Sequence, residues 1–173
     1  MAGKLIVGTI ETQNINFDSD TSGMTIDSIG RIKNPNVPYI FADPYSGSSA
    51  AYDTLATDTA INFRNVISSR GGITLDASNF RFTLPVTGIY QCSCAILCNI
   101  SESMHFNLYN HTVGANQASW YDVTTRSCRF NQAMPFTAGD VIDFRNTTGN
   151  NLGIHRNTNA TDRYTMASIY LIG

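Results

Sequence analysis

Lysine and glutamate are almost missing from this chain, two of each in 173 residues, and charged residues of all kinds make up only 14%. These are the residues that clothe the solvent faces of helices, so their scarcity excludes a helical bundle. The net charge of −2 leaves no basic surplus for a phosphate backbone, and no nucleic-acid partner is expected. Long apolar runs are lacking too. None approaches the ~20 residues that span a bilayer as a helix, so no membrane partner is expected. Met1 to Gly8 holds one Lys and no cleavable apolar core, which points to synthesis in a cytoplasm.

What is present is turn and strand material. Asn, Thr, Ser and Gly together account for 64 of the 173 residues, beside a hydrophobic content of 42%. That combination supplies a core within an uncharged polar surface, and it reads as all-β.

The first 36 residues carry short apolar pieces, Leu5-Ile6-Val7, Ile10, Ile15, Phe17, Met24, Ile26, Ile29 and Ile32, set between polar turn clusters. That is too little apolar surface for an independent core. Asn34-Pro35-Asn36-Val37-Pro38 then breaks regular structure. Residues 1–36 are therefore expected to be an extended N-terminal arm, and 37–173 a head domain.

In the head, strand signals recur with turns between them. Expected strands are Tyr39–Phe41, Phe63–Ile67, Ile73–Leu75, Phe80–Leu84, Gly88–Cys98, Phe106–Tyr109, Ser119–Thr124, Ser127–Ala133, Val141–Arg145 and Tyr164–Ile172. About ten strands without a helix make a two-sheet jelly-roll sandwich.

Several residues in order go beyond composition. Phe80-Arg81-Phe82-Thr83-Leu84-Pro85 leads into Gly88-Ile89-Tyr90; Met134-Pro135-Phe136-Thr137-Ala138-Gly139-Asp140-Val141 follows; Met166 to Ile172 closes the chain. This series resembles the globular head of the complement-q and tumour necrosis factor superfamily over about residues 38–173. The resemblance implies a homotrimer with one sheet of each protomer packed about a threefold axis. Strand parity then selects Gln91, Ser93, Arg129, Met166, Tyr170 and Ile172 as the axis-facing candidates.

A second resemblance lies in the arm. Gly23-Met24-Thr25-Ile26-Asp27-Ser28-Ile29-Gly30-Arg31-Ile32, followed by Pro35 and Pro38, is similar to a segment of tailed-phage structural proteins that precedes a fibre head or decoration domain. Together the two imply a virion structural protein of a tailed bacteriophage. It would be a capsid decoration (cement) protein on the capsid surface, with the major capsid protein as partner. The alternative is the glycan-binding tip of a tail or head fibre, and Trp120, Tyr121 and Asp122 are its candidate glycan patch. A secreted cytokine-like ligand conflicts with the missing signal peptide.

Groups that would carry chemistry are sparse. Cys92, Cys94 and Cys98 share one strand face, where same-face neighbours lie about 6.6–7 Å apart, too far for a disulfide. No Cys-x-x-Cys turn is present for zinc. Together with Cys128 they read as buried thiols, with a Cys128 pairing across strands left open. His105, His111 and His155 are scattered, and Asp140 with Asp143 is the strongest local carboxylate pair. No nucleophile elbow, phosphate loop or dinucleotide fingerprint occurs. The sequons at Asn99, Asn110, Asn146 and Asn159 follow from an Asn- and Thr-rich composition. No enzymatic activity, cofactor or metal is expected.

Overall fold

A computed structural model describes residues 14–16, 22–26, 28–34, 36–45, 47, 51–158 and 164–173. The chain divides into two compact units, Met1–Val37 and Pro38–Gly173. In the first, β1 (Asn14–Asn16), β2 (Ser22–Ile26) and β3 (Ile32–Lys33) pair antiparallel in that order. Ile15 stands opposite Met24 and Ile26 opposite Ile32, so the apolar positions of the arm fall in register across the ladder. Gly30, at φ 82°, lies in the turn that brings the chain back into β3. The expected extended arm thus contains a small sheet, in which spaced apolar positions stand opposite one another across short turns.

The second unit holds β4 (Tyr39–Asp43), β5 (Tyr52–Leu55), β6 (Thr59–Ala60), β7 (Asn65–Arg70), β8 (Thr74–Asp76), β9 (Arg81–Thr83), β10 (Gly88–Asn110), β11 (Ala115–Phe136), β12 (Val141–Asn146), β13 (Leu152–His155) and β14 (Met166–Leu171). Every pairing is antiparallel. The all-β, two-sheet sandwich expected from the sequence is the observed architecture.

Two strands hold it together. β10 and β11 run 23 and 22 residues as one hairpin, with register shifts between Leu97 and Met104. The first half of β10 pairs with β14, and its second half with β12. One layer is therefore β7-β4-β14-β10-β11 and the other β8-β9-β12-β10-β11. Four of the strands expected separately are halves of these two, because the bend between layers interrupts the apolar pattern without ending the ladder.

The layers close on an aromatic core. Phe63, Phe82 and Phe144 meet edge-on or tilted at 6.0–6.2 Å between centroids, and Trp120 stacks on Phe130 at 4.2 Å. Each fully buried ring contributes about 1.5–3 kcal/mol of burial. β5 and β13, absent from the expected set, pair with each other along a Thr/Asp-rich and an Asn/Gly-rich stretch. Their buried apolar residues, Leu55, Leu152 and Ile154, are too few to announce strands.

Two landmarks of the sequence meet in space. Gly139 N–H donates to Leu84 O (2.7 Å), Leu84 N–H donates to Asp140 O (2.9 Å), and the Asp140 carboxylate accepts Thr137 N–H (2.8 Å). Gly139 sits at φ 87°, which an L side chain rarely adopts. At Gly88 the limit is space instead: a Cβ there would lie 2.5 Å from Gly173 O and from Leu171 Cδ1. Gly88→Ala is therefore expected to cost about 1–3 kcal/mol, seen as a lower denaturant midpoint with an unchanged m-value.

Candidate functional site

The strongest candidate is the outward face of the β7-β4-β14-β10-β11 layer. Alternation along β10 sends Tyr90, Cys92, Cys94, Ile96 and Cys98 into the core, each at most 2% exposed, and leaves Ile89, Gln91, Ser93, Ala95 and Leu97 outside. Ile40, Ala42, Ala167 and Ile169 are likewise buried. Tyr39, Phe41, Met166, Ser168 and Tyr170 face out.

Register assembles these into rows. Tyr39, Tyr170, Gln91 and Ala133 lie side by side, then Phe41, Ser168, Ser93 and Asn131, then Met166, Ala95 and Arg129. Ile172 donates its backbone N–H to Ile89 O at the end of the sheet. Five of the six axis-facing candidates, Gln91, Ser93, Arg129, Met166 and Tyr170, thus share one contiguous surface, and Ile172 adjoins it beside Ile89. Sequence parity did not single out Tyr39 or Phe41, which also lie there; only the strand order brings β4 alongside β14.

The surface carries exposed apolar side chains. Phe41, Tyr170, Ile89 and Ile172 are 37%, 39%, 45% and 52% exposed. Several of its polar groups are tied down within the sheet. Gln91 Nε2 (2.5 Å) and Ser93 Oγ (2.7 Å) both donate to Asn131 Oδ1, and the Tyr39 hydroxyl lies 3.1 Å from Ser68 Oγ. A groove of about 540 Å³ crosses it beside Arg129, Met166 and Tyr164. Exposed apolar area combined with polar groups that already have partners suits contact with another protein surface better than contact with water.

The proposed glycan patch is divided between the two faces of β11, although Trp120 and Tyr121 both line one groove with His105, Asn107, Ser119 and Thr147. Successive strand residues point to opposite faces, so Trp120 turns inward, stacked between Phe106 (5.6 Å) and Phe130 (4.2 Å). Tyr121 turns outward, 54% exposed, with His105 at 4.2 Å. Asp122 shares the parity of Trp120. Trp120 is thus half-buried against the core and Tyr121 is exposed.

Asp140 and Asp143 also separate in role. Asp140 holds its turn, whereas Asp143, 1% exposed, takes Arg145 Nε (2.9 Å) and Nη2 (2.8 Å) and lies 2.7 Å from His111 Nε2. Burial opposes the Arg145 charge, but the hydrogen bonds from Asp143 outweigh it and hold its pKa above the ordinary value. His105 and His155 pair instead with tyrosine rings. Among the described residues no group of His, Cys, Asp or Glu is placed to hold a metal. Of the sequon asparagines, Asn110 and Asn146 are buried (2% and 0%) and serve their own turns, and Asn159 lies outside the described residues.

No family model and no curated protein matches the chain. Solved structures do. The Eiger TNF of S. frugiperda superposes with a TM-score of 0.62 at 14% identity, covering 80% of this chain and 94% of its own. The globular domain of zebrafish complement 1qA gives 0.55 at 12%, over 80% and 98%. Murine APRIL at pH 5.0 gives 0.58 at 13%, over 79% and 99%. The fold is a TNF/C1q-type jelly roll. At these identities the likeness is one of fold, and the outward face described above is this chain's own.

All four cysteines are free and buried. Burial pushes the Cys92 and Cys98 thiols up to about 12 and Cys128 to about 11, from an ordinary 9.0, and Cys94 well above it. The folded state thus favours the protonated thiols. Their contribution is whole below pH 9 and is lost as pH rises from about 9 to 12, where the unfolded chain sheds protons that the native chain keeps. An aromatic disulfide reagent at pH 8 is expected to find no reactive thiol in the native protein and four after denaturation, and the denaturant midpoint is expected to fall above pH 9.

Proposed function

We propose that this protein is a homotrimeric capsid decoration protein of a tailed bacteriophage, binding and stabilising the head shell. The observation that carries the self-association is the group of outward-facing apolar side chains Tyr39, Phe41, Tyr170, Ile89 and Ile172 on the five-stranded layer. The resemblance of the head to a trimeric superfamily supports three copies around that layer. A stable contact needs about 800 Å² per partner, a scale that a face five strands wide can supply. Support for the virion assignment comes from the arm segment Gly23–Ile32 and its likeness to tailed-phage structural proteins.

The action is mechanical. A trimer presents three copies of each capsid-contacting element, so weak individual contacts add through effective concentration. Low charge helps, because near-neutral surfaces approach identical neighbours with little repulsion. Arg129 is the exception on the face, and each copy needs water or a partner group in the assembly.

Purified protein added to expanded capsid shells lacking it is expected to bind saturably and to raise their resistance to heat or internal pressure. Failure to bind would overturn the decoration role. Tyr170→Asp is expected to yield folded monomer of unchanged circular dichroism with shell binding weakened at least tenfold. Trimers of the variant indistinguishable from the parent would overturn the assignment of this face.

A further inference from the structure

The second layer carries a groove that the assembly reading leaves unused. It lies on the outward side of β12, between the β8–β9 turn and the loop that bears β6, and has a volume of about 450 Å³. Arg145 and Asp143 form part of its floor, Ser78, Asn79 and Phe80 one wall, and Asp58 and Asn62 the other. We propose that this groove binds a neutral saccharide.

Charge balance sets the class of ligand. The charged residues lining the groove are Arg81 and Arg145 against Asp58 and Asp143, two of each sign. That leaves no cationic surplus for a phosphate, sulfate or carboxylate ligand. The remaining lining mixes hydroxyls and amides (Thr54, Thr59, Asn62, Ser78, Asn79) with small apolar surface (Ala56, Ala60) and the Phe80 ring. Planar donors and acceptors interleaved with apolar patches match hydroxyl groups set around C–H faces, and are too polar for a lipid.

The groove is built in advance. Asp143 fixes the Arg145 guanidinium, which also lies 3.7 Å from the Tyr109 ring centroid on its other side. The Asp76 carboxylate accepts Ser78 N–H (2.9 Å), Asn79 N–H (3.2 Å) and Asn79 Nδ2 (2.7 Å), and Phe80 N–H donates to Asp76 O (2.6 Å). Side chains already held lose little freedom on binding.

Two further features lie at the groove. Arg81 lines the groove, and its Nε is buried with no hydrogen-bond partner among the described residues. Of the three non-glycine residues at positive φ among the described residues, Asp58 (58°) and Phe80 (60°) both line this groove. The third, Asn157, is accounted for by its own side chain, which bonds Thr165 O, Thr165 N–H and Tyr164 N–H. Such backbone persists only where its surroundings enforce it, and it concentrates at ligand sites.

The test is an array of neutral and acidic oligosaccharides probed with the full chain, followed by titration of the hits. A neutral saccharide is expected to bind, with affinity falling at least tenfold in Arg81→Gln and in Ala60→Trp, which fills the groove. Both variants should melt with the parent, and Asn79→Ala, at an exposed position, provides a third probe. Tyr121→Ala, outside the groove, should bind as the parent does. Tyr170→Asp should retain the sugar, so loss of assembly and loss of saccharide binding are read separately. Three results would overturn the site: no neutral hit at about 10 mM, hits confined to acidic glycans, or binding indifferent to all three groove variants.

Discussion

The structure depends on one ribbon. β10 and β11 stay hydrogen-bonded from Gly88 opposite Phe136 to Asn110 opposite Ala115, and they change layers on the way. Because the same two strands belong to both sheets, neither layer can slide or twist without the other. The alternation that buries Tyr90, Cys92, Cys94 and Ile96 simultaneously sets Gln91, Ser93 and Ala95 outside. A slip of one residue would exchange the two sets, exposing the thiols and burying Gln91. Core and outward face are two sides of one register.

The remaining strands read as consequences. β14 and β4 extend the first half of the ribbon, and β12 and β9 extend the second. Turns that must hold this arrangement are closed by short polar side chains rather than by ion pairs. Asp140, Asn146 and Asn157 are each nearly or wholly buried, and each is satisfied by backbone groups around it. This is where the abundant Asn and Asp are spent, and it explains how a chain so poor in Lys and Glu fixes its loops.

Much of this was legible in the sequence. Alternation in Gly88–Cys98 was long enough to assign both faces, and Pro85, Gly88 and Gly139-Asp140 marked turns whose chemistry admits few alternatives. Strands β5 and β13 were not legible, since pairing with each other, rather than their own apolar content, makes them strands. The packing of Trp120 was not legible, because a tryptophan beside Tyr121 and Asp122 suggests a surface, whereas its ring also stacks on Phe106 and Phe130. The saccharide groove was invisible, since Asp58, Phe80 and Arg145 come together only through the strand order of the second layer.

The claim that the five-stranded layer is where copies of this chain meet is tested most directly by hydroxyl-radical footprinting across a concentration series. Tyr39, Phe41, Met166 and Tyr170 are expected to lose reactivity together as the assembly forms, while Tyr121 on the other layer stays reactive throughout. Unchanged reactivity of those four residues in a fully assembled sample, or protection of Tyr121 in their place, would contradict it.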